Sequence, residues 1–232
     1  MSYVFRWHTF LLVQVKLNLM KRIFLLLACS LGVAVGTKAQ ISFGPVAGLN
    51  LSNATVKPYN TLDPNSNDKI STKIKVGFHA GIMANVMISD KLAFNPAVLY
   101  NTKGYSFPNT DSNFTMNYIE VPLNIVYMFG SEETGRLMIH AGPYIGYLAS
   151  AKVKDATVEV GHDKADVIKP LDFGAQAGIG YKLPMGLFAR LQGQFGLANV
   201  FNNNNPFYAD KAKNSFRNFP VFGLTVGYLF GG

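Results

Sequence analysis

The sequence predicts an all-β fold, an eight-stranded antiparallel up-and-down transmembrane β-barrel preceded by a cleaved signal peptide. Three observations lead to this prediction. After residue 39, the chain resolves into eight segments in which a bulky apolar face alternates with a small or polar one. The connections alternate between short and long, as in outer-membrane barrels. In the later strands the charged and amide side chains share one parity, so we expect the apolar parity to face lipid.

The start of the chain is typical of an export signal. Met20-Lys21-Arg22 supplies a positive segment, residues 23–35 supply an apolar one, and Thr37-Lys38-Ala39 supplies a small-residue cleavage site. This order of segments predicts a secretory signal peptide. One long N-terminal anchor is the alternative, but lysine and arginine side chains interrupt its apolar run.

Three regions follow from this interpretation. We expect residues 1–19 to be an upstream artefact of start-codon choice, residues 20–39 to be the signal peptide, and residues 40–232 to be the barrel domain, with cleavage near Ala39-Gln40. Cys29 is the single cysteine and matches a lipoprotein signal, so lipidation there is the alternative to its loss with the leader. Without Cys29 the exported chain has no thiol chemistry.

The net charge does not indicate a nucleic-acid partner. The whole chain carries +8, but the first 39 residues hold five of its 21 basic residues and none of its 13 acidic ones. The remainder therefore carries only +3, and its basic residues form no nucleic-acid footprint.

The predicted strands follow one another from Gln40 to the C-terminus. Their bounds are Ile41–Ser52, Lys75–Ser89, Lys91–Lys103, Asn113–Phe129, Arg136–Val153, Leu171–Leu183, Leu187–Asn199 and Asn218–Phe230. Pro96 predicts a bulge or a local break in pairing, and Pro122 predicts a bulge. In the fifth strand we expect Ser150 on the inner face.

Loop length predicts orientation and partners. The short connections lie at 89–90, 131–135 and 184–186, and the long ones at 53–70, 104–112, 154–169 and 200–217. With both termini in the periplasm, all four long loops face outside the cell. We expect contact with outer-membrane lipid, and partners at the cell surface would bind through these long loops.

Polar side chains on the inner parity predict a luminal network. An eight-stranded barrel is just wide enough for side chains to fill it, so charges there must be paired. The expected members are Glu120, Arg190, Asp172, Arg136, His79, His140, Gln176, Gln192 and Gln194. Glu120 and Arg190 are the expected ion pair. The expected role is structural, and a proton or solute path is the alternative.

Two segments carry a resemblance to a known family. Residues 118–127, Y-I-E-V-P-L-N-I-V-Y, resemble the Y-[IL]-E-[IV]-P-L segment of the PorT-type outer-membrane β-barrel proteins of the Bacteroidetes. Residues 142–148, G-P-Y-I-G-Y-L, are similar to the strand that follows it in that family. The resemblance spans nearly all of the exported chain. It implies an eight-stranded outer-membrane barrel, and some members of the family serve a type IX protein-secretion system.

These observations leave three hypotheses for function. The first is a non-enzymatic outer-membrane protein, structural or accessory to protein secretion. The second is an adhesion or partner-binding barrel like OmpX, acting through its loops. The third is a lipid A-modifying enzyme, which would need a nucleophile and base within hydrogen-bond reach. His79 and His140 point into the lumen, and His162 lies in a charged loop. We therefore expect no catalytic residues, no metal site and no cofactor.

Overall fold

The fold is known from a computed structural model that describes residues 40–57, 72–108, 112–154, 156–202, 204–206 and 215–231. For residues 55–57 and 215–220 it describes the backbone alone. The expectations for the leader, its cleavage site and Cys29 lie outside the described residues. Among the residues described, no helix is both long and apolar enough to cross a membrane.

In the part of the chain that the structure describes, nine antiparallel strands form one sheet, and eight of them close it into a barrel. The strands are β1 (Ile41–Lys57), β2 (Lys73–Ser89), β3 (Leu92–Ser106), β4 (Asn113–Ser131), β5 (Gly135–Val153), β6 (Ala156–Val158), β7 (Leu171–Lys182), β8 (Leu187–Gly196) and β9 (Ser215–Tyr228). Each barrel strand pairs with its neighbours, and β1 pairs with β9 to close the ring. The predicted eight-stranded antiparallel barrel is thereby confirmed. The three-residue strand β6 only extends the edge of β5.

The bounds of the strands differ from the prediction mainly at the long-loop end. β1 continues to Lys57 instead of ending at Ser52, and β3 continues to Ser106 instead of Lys103. β8 ends three residues early, at Gly196. Polar composition suggested loops where β1 and β3 continue, but strands that rise above a membrane are solvated on their outer face, while Ala54 and Tyr105 on their inner face are buried. Their outer ends therefore lack the apolar alternation that marks a membrane strand.

Alternation of exposure along each strand matches the predicted parity. Large apolar side chains are exposed on the outer face, including Phe78, Ile125, Ile179, Leu191 and Leu224. Their inward neighbours are buried, as Gly77, Asn124 and Thr225 are. This inside-out pattern suits a barrel surrounded by lipid.

The shifts in strand register do not lie at Pro96 or Pro122. Across Pro96 and Pro122 the register between β3 and β4 is continuous, so the predicted bulge at Pro122 is wrong. The paired positions skip only from Pro96–Leu123 to Leu99–Glu120, which is the local break that a missing N–H produces. A register shift does occur between β4 and β5 at Asn117/Tyr118. It turns Ser150 outward, where the Ser150 hydroxyl accepts a hydrogen bond from Asn117 at 3.0 Å, so the predicted inner position is wrong.

The rim at the long-loop end slopes. β3, β4 and β5 rise to Ser106, Asn113 and Val153, whereas β7 begins only at Leu171 and β8 ends at Gly196. Two connections, one described at residues 159–170 and the other at residues 197–202 and 204–206, lie at this lower side and contact each other. The Asn202 side-chain amide donates to the carbonyl oxygens of Asp163 and Asp166, at 2.7 and 3.1 Å. We call these two connections the cap.

Candidate functional site

The lumen has an apolar cluster near each end and a polar middle. At the short-turn end the cluster is formed by Val46, Met83, Ala93, Ala97, Leu99, Val126, Met128, Met138, Phe188 and Leu229. At the long-loop end it is formed by Ala54, Tyr105, Phe114, Met116, Tyr118, Leu148, Ala151, Ile168, Val200 and Phe201. Ile168, Val200 and Phe201 come from the cap, which thus packs on the barrel interior. The polar groups between the clusters must therefore satisfy one another.

Lys103 on β3 lies at the centre of the polar middle. Its ammonium is 2.5 Å from the Glu120 carboxylate on β4 and 4.0 Å from the Asp172 carboxylate on β7. All three side chains are almost completely buried. Burying a charge costs free energy unless an opposite charge lies beside it. Lys103 therefore stabilises both carboxylates in the lumen.

Two aromatic rings lie beside the Lys103 ammonium of this ion triad. The Lys103 ammonium lies 4.4 Å from the centre of the Tyr144 ring and 5.3 Å from that of Tyr118, distances at which cation–π attraction acts. The Tyr144 ring lies against Gly174, where an added Cβ would come within 2.6 Å of it. Only glycine allows this close approach.

Amide side chains extend the network across the lumen. The Gln194 amide donates to Glu120 at 2.6 Å, and the Gln176 amide donates to the Asn124 carbonyl at 3.0 Å. Gln194 also donates to Gln176 at 3.4 Å, which joins the two pairs. The second oxygen of Glu120 faces Lys103, so both carboxylate oxygens have a partner.

Arg190 belongs to a separate group nearer the short turns, and the expected Glu120–Arg190 ion pair is wrong. The Arg190 guanidinium donates to the Asn95 carbonyl at 2.5 Å and lies 4.7 Å from the Phe188 ring. Asn95 in turn donates to Asn85 at 2.6 Å. Glu120 instead meets Gln194, which lies further along β8 than Arg190 toward the long loops, so Glu120 and Arg190 lie at different heights in the lumen.

His79 lies between a hydroxyl and an amide. One ring nitrogen is 2.8 Å from the Thr225 hydroxyl, and the other is 2.9 Å from the Asn50 carbonyl oxygen. Asn50 also donates to Asn101 at 2.6 Å. A hydroxyl, an imidazole and an amide in this order resemble the arrangement of a nucleophile, base and orienting group. All three are buried, however, under 5% exposed, so the arrangement serves to satisfy luminal polar groups.

The remaining predicted residues lie apart from the ion triad. Arg136 lies at the short-turn end and pairs with Glu132 at 3.2 Å, beside a small pocket of about 50 Å³ at the barrel mouth. His140 is buried on β5 against Gly178, within electrostatic reach of Arg190 and next to Gln192. The sequence thus predicts that these residues face the lumen, but it does not predict which of them contact one another.

Lys103 and Asn95 are the important luminal residues that sequence reasoning missed. The signal was present, because Phe94, Val98 and Tyr100 on the outer face require odd-numbered β3 residues to point inward. Lys103 is the last residue of the predicted strand, and a lysine at the end of a strand is usually exposed to solvent. The structure continues β3 for three more residues and buries it.

The network offers little for chemistry beyond packing. Within the described part of the chain, no three His, Cys, Asp or Glu side chains are placed to hold a metal ion. The buried charged side chains described are Lys103, Arg190, Glu120 and Asp172, whose formal charges cancel. A polar interior with balanced charge and packed ends has the properties of a structural core.

Comparisons with known proteins agree with this architecture. No curated protein matches the chain. Among solved structures, the chain is similar to Ail, the attachment invasion locus protein of Yersinia pestis, whose structure was determined in complex with the heparin analogue sucrose octasulfate. The two chains are 13% identical with a TM-score of 0.43, and the similarity covers 82% of this chain and 99% of that one. It is also similar to Neisserial surface protein A, at 14% identity and a TM-score of 0.44, covering 82% and 97% of the two chains.

A third similar structure is that of the Escherichia coli outer membrane protein W, at 18% identity and a TM-score of 0.35, covering 81% of this chain and 98% of that one. The family described as outer membrane protein beta-barrel domain matches residues 23–202 of the sequence. The closed barrel with its lipid-facing outer surface agrees with this match, and the protein is located in the bacterial outer membrane. The chain belongs to the outer membrane protein beta-barrel domain family.

Proposed function

We propose that this protein is a non-enzymatic component of the outer membrane, structural or accessory to protein secretion, and that it acts through its barrel wall or its extracellular loops. The observation that carries the proposal is the packed lumen. The Lys103–Glu120–Asp172 ion triad fills its middle, and an apolar cluster lies on either side of it. A lumen of this kind provides no aqueous path for a solute.

The link to secretion is supported by sequence alone. Residues 118–127 resemble the PorT-type proteins of the Bacteroidetes, some of which serve a type IX protein-secretion system. In the barrel this segment carries both Tyr118 and Glu120, two members of the luminal centre. Its sequence is therefore also explained by packing, and secretion needs its own test.

A second candidate function is adhesion through the outer loops, as in OmpX. It is favoured by the cap, in which hydrogen bonds hold two connections together and leave His162, Asp163 and Lys164 exposed. An ordered loop surface is better suited to recognise a partner than a disordered one, because less conformational entropy is lost on binding.

Loop exchange in the living bacterium separates these functions. In a strain that lacks the gene, the wild-type chain would be compared with a variant in which short turns replace residues 58–70 and 207–214. If the wall carries the function, both chains restore the secreted-protein profile. If only the wild-type chain restores it, the loops are required, and the proposal of a wall-mediated role is wrong.

The same strains test adhesion and enzymatic activity. Adhesion through the cap predicts that surface attachment is lost when His162, Asp163 and Lys164 are all replaced by serine, while the secreted-protein profile is unchanged. A histidine-dependent lipid A enzyme predicts an altered lipid A profile when His79, His140 and His162 are all replaced. We expect the lipid profile to stay the same, because His79 and His140 are buried in the lumen.

A further inference from the structure

On β3, β4 and β5 the outer face of the barrel changes from apolar to polar above an aromatic edge, whereas on β2 apolar side chains such as Val76 remain exposed at this height. Tyr100, Ile119, Tyr147 and Leu171 are paired across four neighbouring strands and are all exposed. Aromatic and apolar side chains in such a row mark the boundary between hydrocarbon and headgroups. We call this row the upper edge of the apolar belt.

On β3, β4 and β5 the outward positions of the pairing above this edge hold only polar or small residues, of which Thr102 and Gly104 are buried and those on β4 and β5 are at least partly exposed. The first row is Thr102, Asn117 and Ser150, the second is Gly104, Thr115, Lys152 and Thr157, and the third is Lys73, Ser106 and Asn113. We call these three rows the polar wall. It is continuous because β6 extends the second row beyond β5.

Hydrogen bonds hold the first row of the polar wall together. The Thr102 hydroxyl donates to the Asn117 carbonyl at 3.0 Å, and the Asn117 amide donates to the Ser150 hydroxyl at 3.0 Å. This row therefore satisfies much of its own hydrogen-bonding capacity. The second row is different, because it presents the exposed side chains of Lys152 and Thr157 beside Thr115.

The charge of the polar wall has one sign. Lys152 and Lys73 are both exposed, and no acidic side chain occurs in the three rows as defined. A cationic group flanked by hydroxyls is suited to a phosphate group, since the ammonium supplies charge and the hydroxyls supply hydrogen bonds. The surface next to the hydrocarbon is thus complementary to an anionic headgroup.

We propose that the polar wall binds the phosphate groups of phosphorylated glycolipids in the outer leaflet, with Lys152 as the main contact and Lys73 as a second one. Lys152 lies five residues beyond Tyr147 on β5. At about 3.3 Å per residue and a strand tilt of roughly 40°, that distance places its Cα about 12 Å above the belt edge. A lysine side chain that bends toward the membrane covers about 6 Å of this height, which brings the ammonium to headgroup level.

The test measures lipid binding to the folded barrel in detergent by native mass spectrometry. The probes are bisphosphorylated lipid A and the same lipid after removal of its phosphates. The wild-type protein should retain the phosphorylated lipid in clear preference. Lys152→Gln should weaken this binding about fivefold, and Lys152→Gln with Lys73→Gln about 25-fold, since a lysine near an anionic membrane surface contributes on the order of fivefold each. Lys152→Arg should keep the binding.

Matched controls use lysines elsewhere on the barrel. Lys164→Gln in the cap and Lys91→Gln at a short turn remove exposed lysines outside the polar wall and should leave binding unchanged. Unboiled gel mobility establishes that each variant is folded. Equal binding of the two lipids, or an equal loss in the controls, would overturn the proposal. Full displacement of the lipid by about 10 mM inorganic phosphate, a concentration at which the Debye length is still about 30 Å and general screening is weak, would show an anion site and not a lipid site.

Discussion

At the scale of single residues, Lys103 has the largest energetic role in the lumen. Its ammonium faces two buried carboxylates, at 2.5 Å from Glu120 and 4.0 Å from Asp172, and two tyrosine rings lie beside it. Removing one member of a buried ion group leaves an uncompensated charge, whereas removing both partners can be nearly neutral. The two cases can be distinguished by mutation.

Lys103→Met should lower the free energy of unfolding by about 3–5 kcal/mol, because Glu120 would remain charged and buried without its cation. Adding Glu120→Gln should restore about half of this loss or more. The measurement is the folded fraction across a urea series, determined by unboiled gel mobility, since the single tryptophan, Trp7, lies before residue 40. Lys91→Met, in an exposed turn, is the control and should have no effect. An equal loss in the single and double variants would contradict the ion-group interpretation.

The residue scale also separates what the sequence could predict from what it could not. Parity is local, so the inner or outer position of Asp172, Gln176 and Arg190 follows directly from alternation. The partner of Glu120 depends on the stagger between strands that are distant in sequence. No local pattern encodes that stagger, and it brings Lys103 to Glu120 and leaves Arg190 at another level. Ser150 was misplaced because one bulge reverses parity beyond it.

At the scale of structural elements, the cap is a separate unit that rests on the barrel. Ile168, Val200 and Phe201 insert into the apolar cluster at the long-loop end. Backbone hydrogen bonds link the two cap segments, such as Lys169 N–H to the Val200 carbonyl at 2.8 Å. Loop composition alone predicted only a polar connection here, since three apolar residues spread over two loops give no periodic signal.

Ile168→Ala should loosen the cap and leave the barrel folded. Truncation of a buried isoleucine costs about 2–5 kcal/mol, and here the loss falls on a local unit with few other apolar contacts. We expect cleavage by an added protease within residues 154–170 to become at least several-fold faster, with unboiled gel mobility unchanged. Val160→Ala, at a half-buried position of the same loop, should have a smaller effect. Unchanged cleavage would mean that the hydrogen bonds between the loops hold the cap by themselves.

At the scale of the whole molecule, closure between β1 and β9 defines the barrel. Ala47 pairs with Val226, and Leu49 pairs with Leu224, all four facing outward. The fold class and the closing strands were predictable because alternation and loop lengths involve the entire chain. The register across the closure was not, because it depends on the sum of the staggers around the ring.

The absence of cysteine after residue 29 makes this register directly testable. Ala47→Cys with Val226→Cys should form a disulfide on mild oxidation, because paired Cα atoms across antiparallel strands lie about 4.5–5.5 Å apart. Ala47→Cys with Leu224→Cys is the matched control, displaced by two residues to about 7–8 Å, and should cross-link poorly. The linked chain is recognised by its altered mobility on a boiled, non-reducing gel. Equal cross-linking of both pairs would contradict the register.

The sloping rim has a consequence for anything that approaches the cell from outside. On the side of β3, β4 and β5, the polar wall rises above the membrane and sterically keeps a large extracellular molecule away from the lipid surface. On the side of β7 and β8 the strands stop early, and among the residues that the structure describes only those of the cap lie above the bilayer there. A large molecule such as an antibody or a phage tail therefore meets a barrel with one low side. Contact with both the protein and the membrane is geometrically easiest there.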